Sequence, residues 1–540
     1  MALPRETAPT LVRVAPLETL LKKGRHLFKS DGKQIAVFAG DGGIFACNNR
    51  CPHEGYPLME GSLAQGAQGD CVLTCNWHNW KFDLASGETL VGGDRLRRYP
   101  VEIVDGDVWV DVADPPAEDV AAAALDSLRA SFRRHEYDRM AREISRLHKA
   151  GADPLDAVRA AFAWTADRFE FGCTHAQAGA ADWLAIRDVY ATSEQAKLVP
   201  LVEVVGHLAW DSLREPSYPY PDGQRPYAAA ALVAAIEAED EAAAVALLRG
   251  ALAAGLTFRD LEEPLAEAAL AHYNDFGHSL IYVQKTGELI DRLGPDSAEP
   301  LLLCLLRALI YATREDLIPE FRAYAPALAQ WDGQGSAPID AGDLLGLPVA
   351  KVLARANAAS GDIPALYDAL LGAASWQFLH YDMTLMQAVD KPVSHNVNWL
   401  DFTHAITFGH AVRDVCTRYP RLWPQGLLQI ACFVGRNAGF VDKGVDAARW
   451  QVDDGGAFLD TGLAGLLDHD QQEYIVSIHV VKLLSAAKAE IAAASAGPGQ
   501  APAWVPVLLA ALNRFLNEPL RRKHPLRVAH QAMGFVAAEG

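Results

Sequence analysis

Cysteine is scarce: eight residues in 540, too few and too scattered for a disulfide framework. A packed core must hold the fold, and a reducing cytoplasm is the expected setting. No run of eighteen apolar residues occurs, so no membrane-spanning helix is expected. The opening MALPRETAPTLVRVAPLE lacks the apolar stretch of a secretory signal. Positive charge is in deficit, with 48 Lys and Arg against 68 Asp and Glu and a net charge of −20. That argues against nucleic acid or an anionic membrane as partner and suits a well-solvated surface. A nucleotide-cradling Gly-rich loop is also missing, because Gly40-Asp-Gly-Gly43 reads as a hairpin turn. The chain is therefore not expected to bind NAD(P)H or flavin itself, and its electrons would come from a separate NAD(P)H-dependent reductase or ferredoxin.

The chain is long enough for two or more domains. Residues 8–112 read as strands: Ile35-Ala-Val-Phe, Cys71-Val-Leu-Thr and Val108-Trp-Val-Asp-Val are β-branched or aromatic runs. Asp31-Gly32, Asp41-Gly42 and Asp105-Gly106 are hairpin signals. From about Pro115 the composition turns to Ala and Leu at helical spacing, as in Asp119–Ile144 and Ala228–Leu252. Pro/Gly breaks such as Gly497-Pro-Gly punctuate the helices. The expected architecture is an all-β domain over 8–114, a short Asp114-Pro-Pro-Ala-Glu linker, and a large all-α region over 115–540.

Cys51-Pro-His53, then 21 residues, then Cys75-Asn-Trp-His78 is a metal-ligand pattern. Two thiolates suit one iron of a [2Fe–2S] cluster and two imidazoles the other, while Cys₂His₂ is also a zinc set. Gly55 allows a tight turn, and Trp77, Trp80 and Phe82 are placed to shield the loops. His53-Glu-Gly55, Leu58, Gly61, Cys75-x-Trp-His78-x-Trp-x-Phe82-Asp83, Ser86-Gly87, Arg98-Tyr-Pro-Val and Val104-Asp-Gly-Asp-Val-Trp-Val resemble the Rieske family across about residues 10–112. The resemblance implies a [2Fe–2S] cluster bound by Cys51, His53, Cys75 and His78, and an electron-transfer role.

Three positions depart from the family pattern: Asn76 replaces a Pro, Asn79 replaces a Gly, and Gly61–Gly69 lengthens the interval between ligand pairs. Tyr56 and Trp77 occupy the places of the extra Cys pair of respiratory Rieske proteins. Cys47 and Cys71 then read as core residues. The site resembles the ferredoxin and oxygenase type, with a potential expected at roughly −150 mV.

In the helical region Asp275-Phe-Gly-His278 recurs as Asp401-Phe-Thr-His404, at an offset of 126 residues. Asp and His at i and i+3 share a helix face, as in carboxylate–His di-iron bundles. Further candidates are Glu203 with His207, His410 with Asp414, and His479. The expected metal set is His207, Asp275, His278, Asp401, His404, His410 and His479, with His278, His404 and His410 as catalytic candidates. Helix capping by Asp275 and Asp401 is the competing reading.

His404-Ala-Ile-Thr-Phe-Gly-His-Ala and His479-Val-Val-Lys-Leu-Leu-Ser-Ala-Ala resemble helices of the questin oxidase-like family. Those are large helical oxygenases linked to Baeyer–Villiger-type ring opening of polyketide quinones. The mixed α/β domain of ring-hydroxylating oxygenases is not expected, because its strands are missing and His410 would sit about 240° from His404 around a helix.

Three functions compete. The first is an oxygenase, in which the cluster feeds a non-haem iron that activates O₂ against a small organic substrate. The second is an electron carrier whose helical repeats dock a redox partner. The third is a metal-free oxidase with a structural or regulatory cluster. A homo-oligomer is compatible with each.

Overall fold

Asp31-Gly32 and Asp105-Gly106 place both central residues in left-handed backbone, with φ of 45° and 77°, and 51° and 79°. That is what a two-residue hairpin joining right-twisted strands requires. The computed structural model describes residues 10–40, 42–66, 71–496, 501–520 and 524–539, apart from the side chains of Asp275 and Ser394. The expected turn at Asp41, the end of the 61–69 stretch and the Gly497-Pro-Gly break lie outside the described residues.

The N-terminal strands are β1 (Leu11–Pro16), β2 (Arg25–Ser30), β3 (Lys33–Gly40), β4 (Gly43–Asn48), β5 (Ser62–Gln65), β6 (Cys71–Thr74), β7 (Lys81–Asp83), β8 (Thr89–Val91), β9 (Arg98–Tyr99), β10 (Val101–Val104) and β11 (Asp107–Asp111). Among the described residues they form antiparallel sheets ordered β1-β11-β10, β2-β3-β4-β9 and β5-β6-β7-β8. Burial alternates along β11, whereas β3 is buried on both faces, Ile35 and Val37 in one apolar cluster and Ala36 and Phe38 in another. One apolar cluster gathers Phe38, Leu58, Leu73 and Phe82 around Cys47, Cys51, Cys71 and Cys75. A second gathers Ile35, Val37, Val108 and Val110.

The chain divides into two units, Met1–Pro154 and Leu155–Gly540. The change from strand to helix falls where expected, yet the first unit runs on to Pro154. After the short α1 (Leu17–Lys23) it includes α2 (Ala117–Phe132) and α3 (Tyr137–Lys149). The Asp119–Ile144 periodicity is broken between α2 and α3, where His135 takes φ of 51°. Arg139 and Arg142 of α3 both engage the buried Asp94 carboxylate, Arg142 at 3.1 Å, and tie α3 to the β region.

The second unit is helical. Four of its helices matter most: α4 (His175–Tyr190), α5 (His278–Leu293), α6 (Leu400–Arg418) and α7 (Tyr474–Ala496). They close a ring in which α4 packs on α5, α5 on α6, α6 on α7 and α7 on α4. Contacts at two levels give their directions. His175 meets His278 and, seven residues on, Asp182 meets Lys285. His278 meets His404 and, six residues on, Gln284 meets His410. His404 meets His479, and His410 meets Glu490 further along. All four helices therefore run parallel, with their histidines at the N-terminal end.

Just before α5 the chain turns sharply. Phe276 (φ 49°, ψ 36°) and Gly277 (φ 76°) are both left-handed. A Cβ on Gly277 would lie 2.4 Å from the Phe408 ring, so only glycine fits there. This corrects the expected repeat: Asp275 precedes α5 and does not share a helix face with His278, whereas Asp401 and His404 both lie in α6. No helix among the described residues is long and apolar enough to cross a membrane.

Candidate metal centres

Each bundle helix supplies one histidine to a common point. His175 and His278 are the first residues of α4 and α5, and His404 and His479 lie within the first two turns of α6 and α7. Thr174 caps α4, its hydroxyl oxygen accepting from the Ala176 N–H. Nε2 separations are 3.0 Å for His175–His278, 3.0 Å for His278–His404 and 3.3 Å for His404–His479. One ligand atom from each of the four lies within 4.8 Å of all the others.

Hydrogen bonding fixes two of the tautomers. His404 Nδ1 lies 2.5 Å from the Leu400 carbonyl, and His479 Nδ1 lies 2.5 Å from the Ile475 carbonyl. A ring nitrogen against a carbonyl oxygen must carry the proton, which leaves Nε2 bare. Two bare Nε2 lone pairs thus face each other at 3.3 Å inside the bundle. Protonation does not relieve the repulsion. Burial, with help from nearby Lys482, pulls the His404 pKa down to about 3. Burial holds His175 and His479 well below the ordinary histidine value as well. A cation between the lone pairs resolves the arrangement. Ligands about 2.1 Å from a shared ion at angles of 90–110° stand roughly 3.0–3.4 Å apart, which is the spacing seen. Neutral imidazole donors suit iron, copper, nickel or zinc.

A second polar layer lies about two turns further along the helices. Buried Lys285 bridges Asp182 (2.9 Å) and Glu288 (3.1 Å). His410 donates from Nδ1 to Glu490 (2.8 Å) and accepts at Nε2 from the Gln284 amide (3.3 Å). Tyr367 and Arg413 also bind Glu490.

In the β region two loops of matching construction present a Cys and a His each. The Cys51 N–H donates to the Tyr56 carbonyl and the Gly55 N–H to the Cys51 carbonyl. The Cys75 N–H donates to the Trp80 carbonyl and the Asn79 N–H to the Cys75 carbonyl. Gly55 (φ 76°) and Asn79 (φ 59°) hold the same left-handed place. Asparagine is among the few residues that tolerate that conformation, so the Gly-to-Asn departure keeps the loop. Asn76 ties its loop to the 60–62 segment, donating to the Glu60 carbonyl and accepting from the Ser62 hydroxyl.

Both thiols are buried and hydrogen-bonded to one another. Burial pushes the Cys51 thiol up to about 11, while the His53 and Glu54 N–H groups favour its thiolate. The His53 and His78 rings meet edge-on at 4.6 Å, and Trp80 stacks on His53 at 4.6 Å. His53 Nδ1 is buried with no hydrogen-bond partner. Two sulfurs and an unpartnered buried imidazole nitrogen are what a cluster would satisfy. Glu54 reaches both rings, 3.8 Å from His53 and 3.7 Å from His78.

Residues 10–97 match the Rieske [2Fe-2S] domain. The 3-phenylpropionate/cinnamic acid dioxygenase ferredoxin subunit of Photorhabdus laumondii is 35% identical over 82 residues, 15% of this chain and 74% of that protein. The chain belongs to the Rieske family through this domain. The 4beta-methylsterol monooxygenase of Methylococcus capsulatus is 34% identical over 100 residues, 16% of this chain. Oxidoreductase NdmD of Pseudomonas putida is 30% identical over 121 residues, 20% of this chain. The chain spans only 26% of the first and 19% of the second. Among solved structures, the ferredoxin of carbazole 1,9a-dioxygenase from Nocardioides aromaticivorans IC177 aligns at 26% identity, over 19% of this chain and 96% of that one, with a TM-score of 0.17.

The structure thus brings Cys51, His53, Cys75 and His78 together in the Rieske domain, and His278, His404 and His479 in the bundle. Other expected ligands are engaged elsewhere. Asp401 accepts from the Asn398 N–H (2.8 Å) and pairs with Arg436 (2.9 Å). His410 has both nitrogens committed in the second layer. His207 lies 3.6 Å from Asp211 and stacks on Tyr474, and Glu203 pairs with His469. The Asp275 side chain lies outside the described residues. Trp77 is 61% exposed, stacks on Tyr56 of the first cluster loop and meets the His78 ring at 5.6 Å. His175 was not singled out by the sequence. Its one signal is the spacing to Asp182, which matches His278 to Lys285.

Proposed function

We propose that the chain is a Rieske-dependent oxygenase. In this reading a [2Fe–2S] cluster held by Cys51, His53, Cys75 and His78 feeds electrons to a non-haem iron held by His175, His278, His404 and His479, for O₂-dependent oxidation of an organic substrate. The observation that carries it is the pair of bare Nε2 atoms of His404 and His479 facing each other at 3.3 Å. The cluster would supply electrons one at a time and the iron the chemistry of O₂.

The chain's own residues set the conditions. Leu400 and Ile475 hold two imidazoles in the ligating tautomer through their carbonyls. Burial and Lys482 disfavour the charged forms of His175, His404 and His479. Four parallel helix N-termini place the positive ends of their dipoles around the centre, which also opposes protonation of the imidazoles. The membership of Rieske relatives in monooxygenase and dioxygenase systems, and the resemblance of α6 and α7 to questin oxidase-like helices, support the same reading. A separate reductase or ferredoxin would reduce the cluster.

The test is single-turnover reoxidation. The chemically reduced protein is mixed with O₂ and cluster absorbance followed. Reoxidation should be fast in the wild type and slowed at least about tenfold in His278→Ala/His404→Ala. Equal rates sink the oxygenase reading and favour a simple electron carrier.

A further inference from the structure

A cavity of about 380 Å³ lies against the N-terminal ends of α6 and α7. Its wall includes Leu400 and Ile475, the two residues whose carbonyls hold His404 and His479. The cavity therefore stands one helical turn from two of the four metal-ligand candidates. Val397, Phe515 and Val528, the last on α8 (Pro525–Ala538), make other walls apolar. The volume falls at the lower end of the range for small-molecule sites.

Most polar groups of the wall are already spoken for. The Arg527 guanidinium donates to the Leu385 and Ala388 carbonyls. The Gln531 and Asn396 amides bind one another, and the Asn398 amide oxygen accepts from the Leu400 N–H. His524 differs: its Nε2 is buried and has no hydrogen-bond partner. A buried polar atom left unpaired carries a desolvation cost that a ligand hydroxyl would recover. A hydroxyl suits either tautomer, since it both donates and accepts.

We infer that this cavity binds the organic substrate of the tetrad and that its substrate class is a compact, uncharged, largely apolar molecule bearing a hydroxyl that pairs with His524. The inference rests on the oxygenase reading for the word substrate, and on the cavity alone for binding.

The experiment is a titration of the full-length protein with 1-naphthol and, separately, with naphthalene, followed by tryptophan fluorescence. The wild type should bind 1-naphthol about tenfold more tightly than naphthalene, the worth of one well-placed hydrogen bond. His524→Phe should abolish that preference while still binding naphthalene. Val397→Trp and Val528→Trp place added bulk in the cavity from two separate segments of its wall and should each weaken both ligands about tenfold or more. The inference is overturned if His524→Phe keeps the hydroxyl preference, or if both tryptophan variants bind like the wild type. Metal analysis of the same samples separates the two claims. A metal-loaded tetrad without 1-naphthol binding overturns the pocket, and binding beside a tetrad that takes no metal overturns the oxygenase.

Discussion

His278 and His404 stand 126 residues apart in the chain and meet Nε2 to Nε2 at 3.0 Å. Gln284 and His410 repeat the same separation one layer further along, at 3.3 Å. The recurring Asp-Phe-x-His segments are thus spatial neighbours on parallel helices, and their histidines face a common centre with His175 and His479. Changing His278 and His404 together to Ala should remove about one metal ion per chain and leave the Rieske signal untouched. Elemental analysis with electron paramagnetic resonance reads both. Unchanged metal content would contradict the assignment.

Cys51→Ser should do the reverse. Loss of one thiolate from a buried pair removes the cluster, its visible absorbance and its resonance signal. The metal at the histidines should persist, because the four imidazoles come from the other compact unit. Loss of both metals on this one change would refute the independence of the centres.

Acid should destabilise the metal-free helical region. The folded-state pKa of His404 is about 3 against an ordinary 6.5, and His175 and His479 are shifted the same way. As pH falls below 6.5 the unfolded chain takes up protons that the native tetrad refuses. Stability is therefore fully present above about 6.5 and is lost toward 3, by at most about 1.4 kcal/mol per pH unit per histidine. Asp211, pushed up to about 6 by burial, and Asp182, also raised by burial, oppose the trend, whereas His380, lowered by burial, adds to that of the three histidines. Urea midpoints at pH 7.5, 6.5 and 5.5 should fall over the last step, and a flat series would contradict the lowered values of His175, His404 and His479.

Asn79 sits at φ 59° in the second cluster loop. Asn79→Ala should cost about 1 kcal/mol and Asn79→Gly nothing comparable, because alanine keeps the Cβ that left-handed backbone disfavours without asparagine's local hydrogen bonding, whereas glycine has no Cβ. Thermal melting of the cluster absorbance distinguishes them, and equal melting temperatures would show that the loop does not depend on this conformation.

Arg139→Ala should destabilise the first unit by about 3 kcal/mol, since it strips a buried partner from Asp94. Adding Asp94→Ala should restore much of the loss. Chemical denaturation of the pair gives the coupling, and simple additivity would mean that the ion pair does not hold α3.

The cluster loops were legible because their chemistry is local. Cys51, His53, Cys75 and His78 lie on two short loops, and Asp31-Gly32 and Asp105-Gly106 announce their own turns. The tetrad was legible only in part. His278 and His404 share a short pattern, but the pattern misleads at Asp275, where Phe276 and Gly277 reverse the chain before the helix starts. His175 carries no such pattern, and parallel packing of distant helices brings it in. Asp401 and His410 looked like ligands because spacing shows which residues share a helix face and not which partners satisfy them. Arg436 and Glu490 are far away in sequence.

Diffraction from crystals of the full chain at wavelengths on either side of the iron edge tests the account most directly. It predicts anomalous density for two irons between Cys51, Cys75, His53 and His78, and a separate peak about 2.1 Å from the Nε2 atoms of His175, His278, His404 and His479. Iron confined to the Rieske domain, with no metal peak at the four histidines, would contradict it.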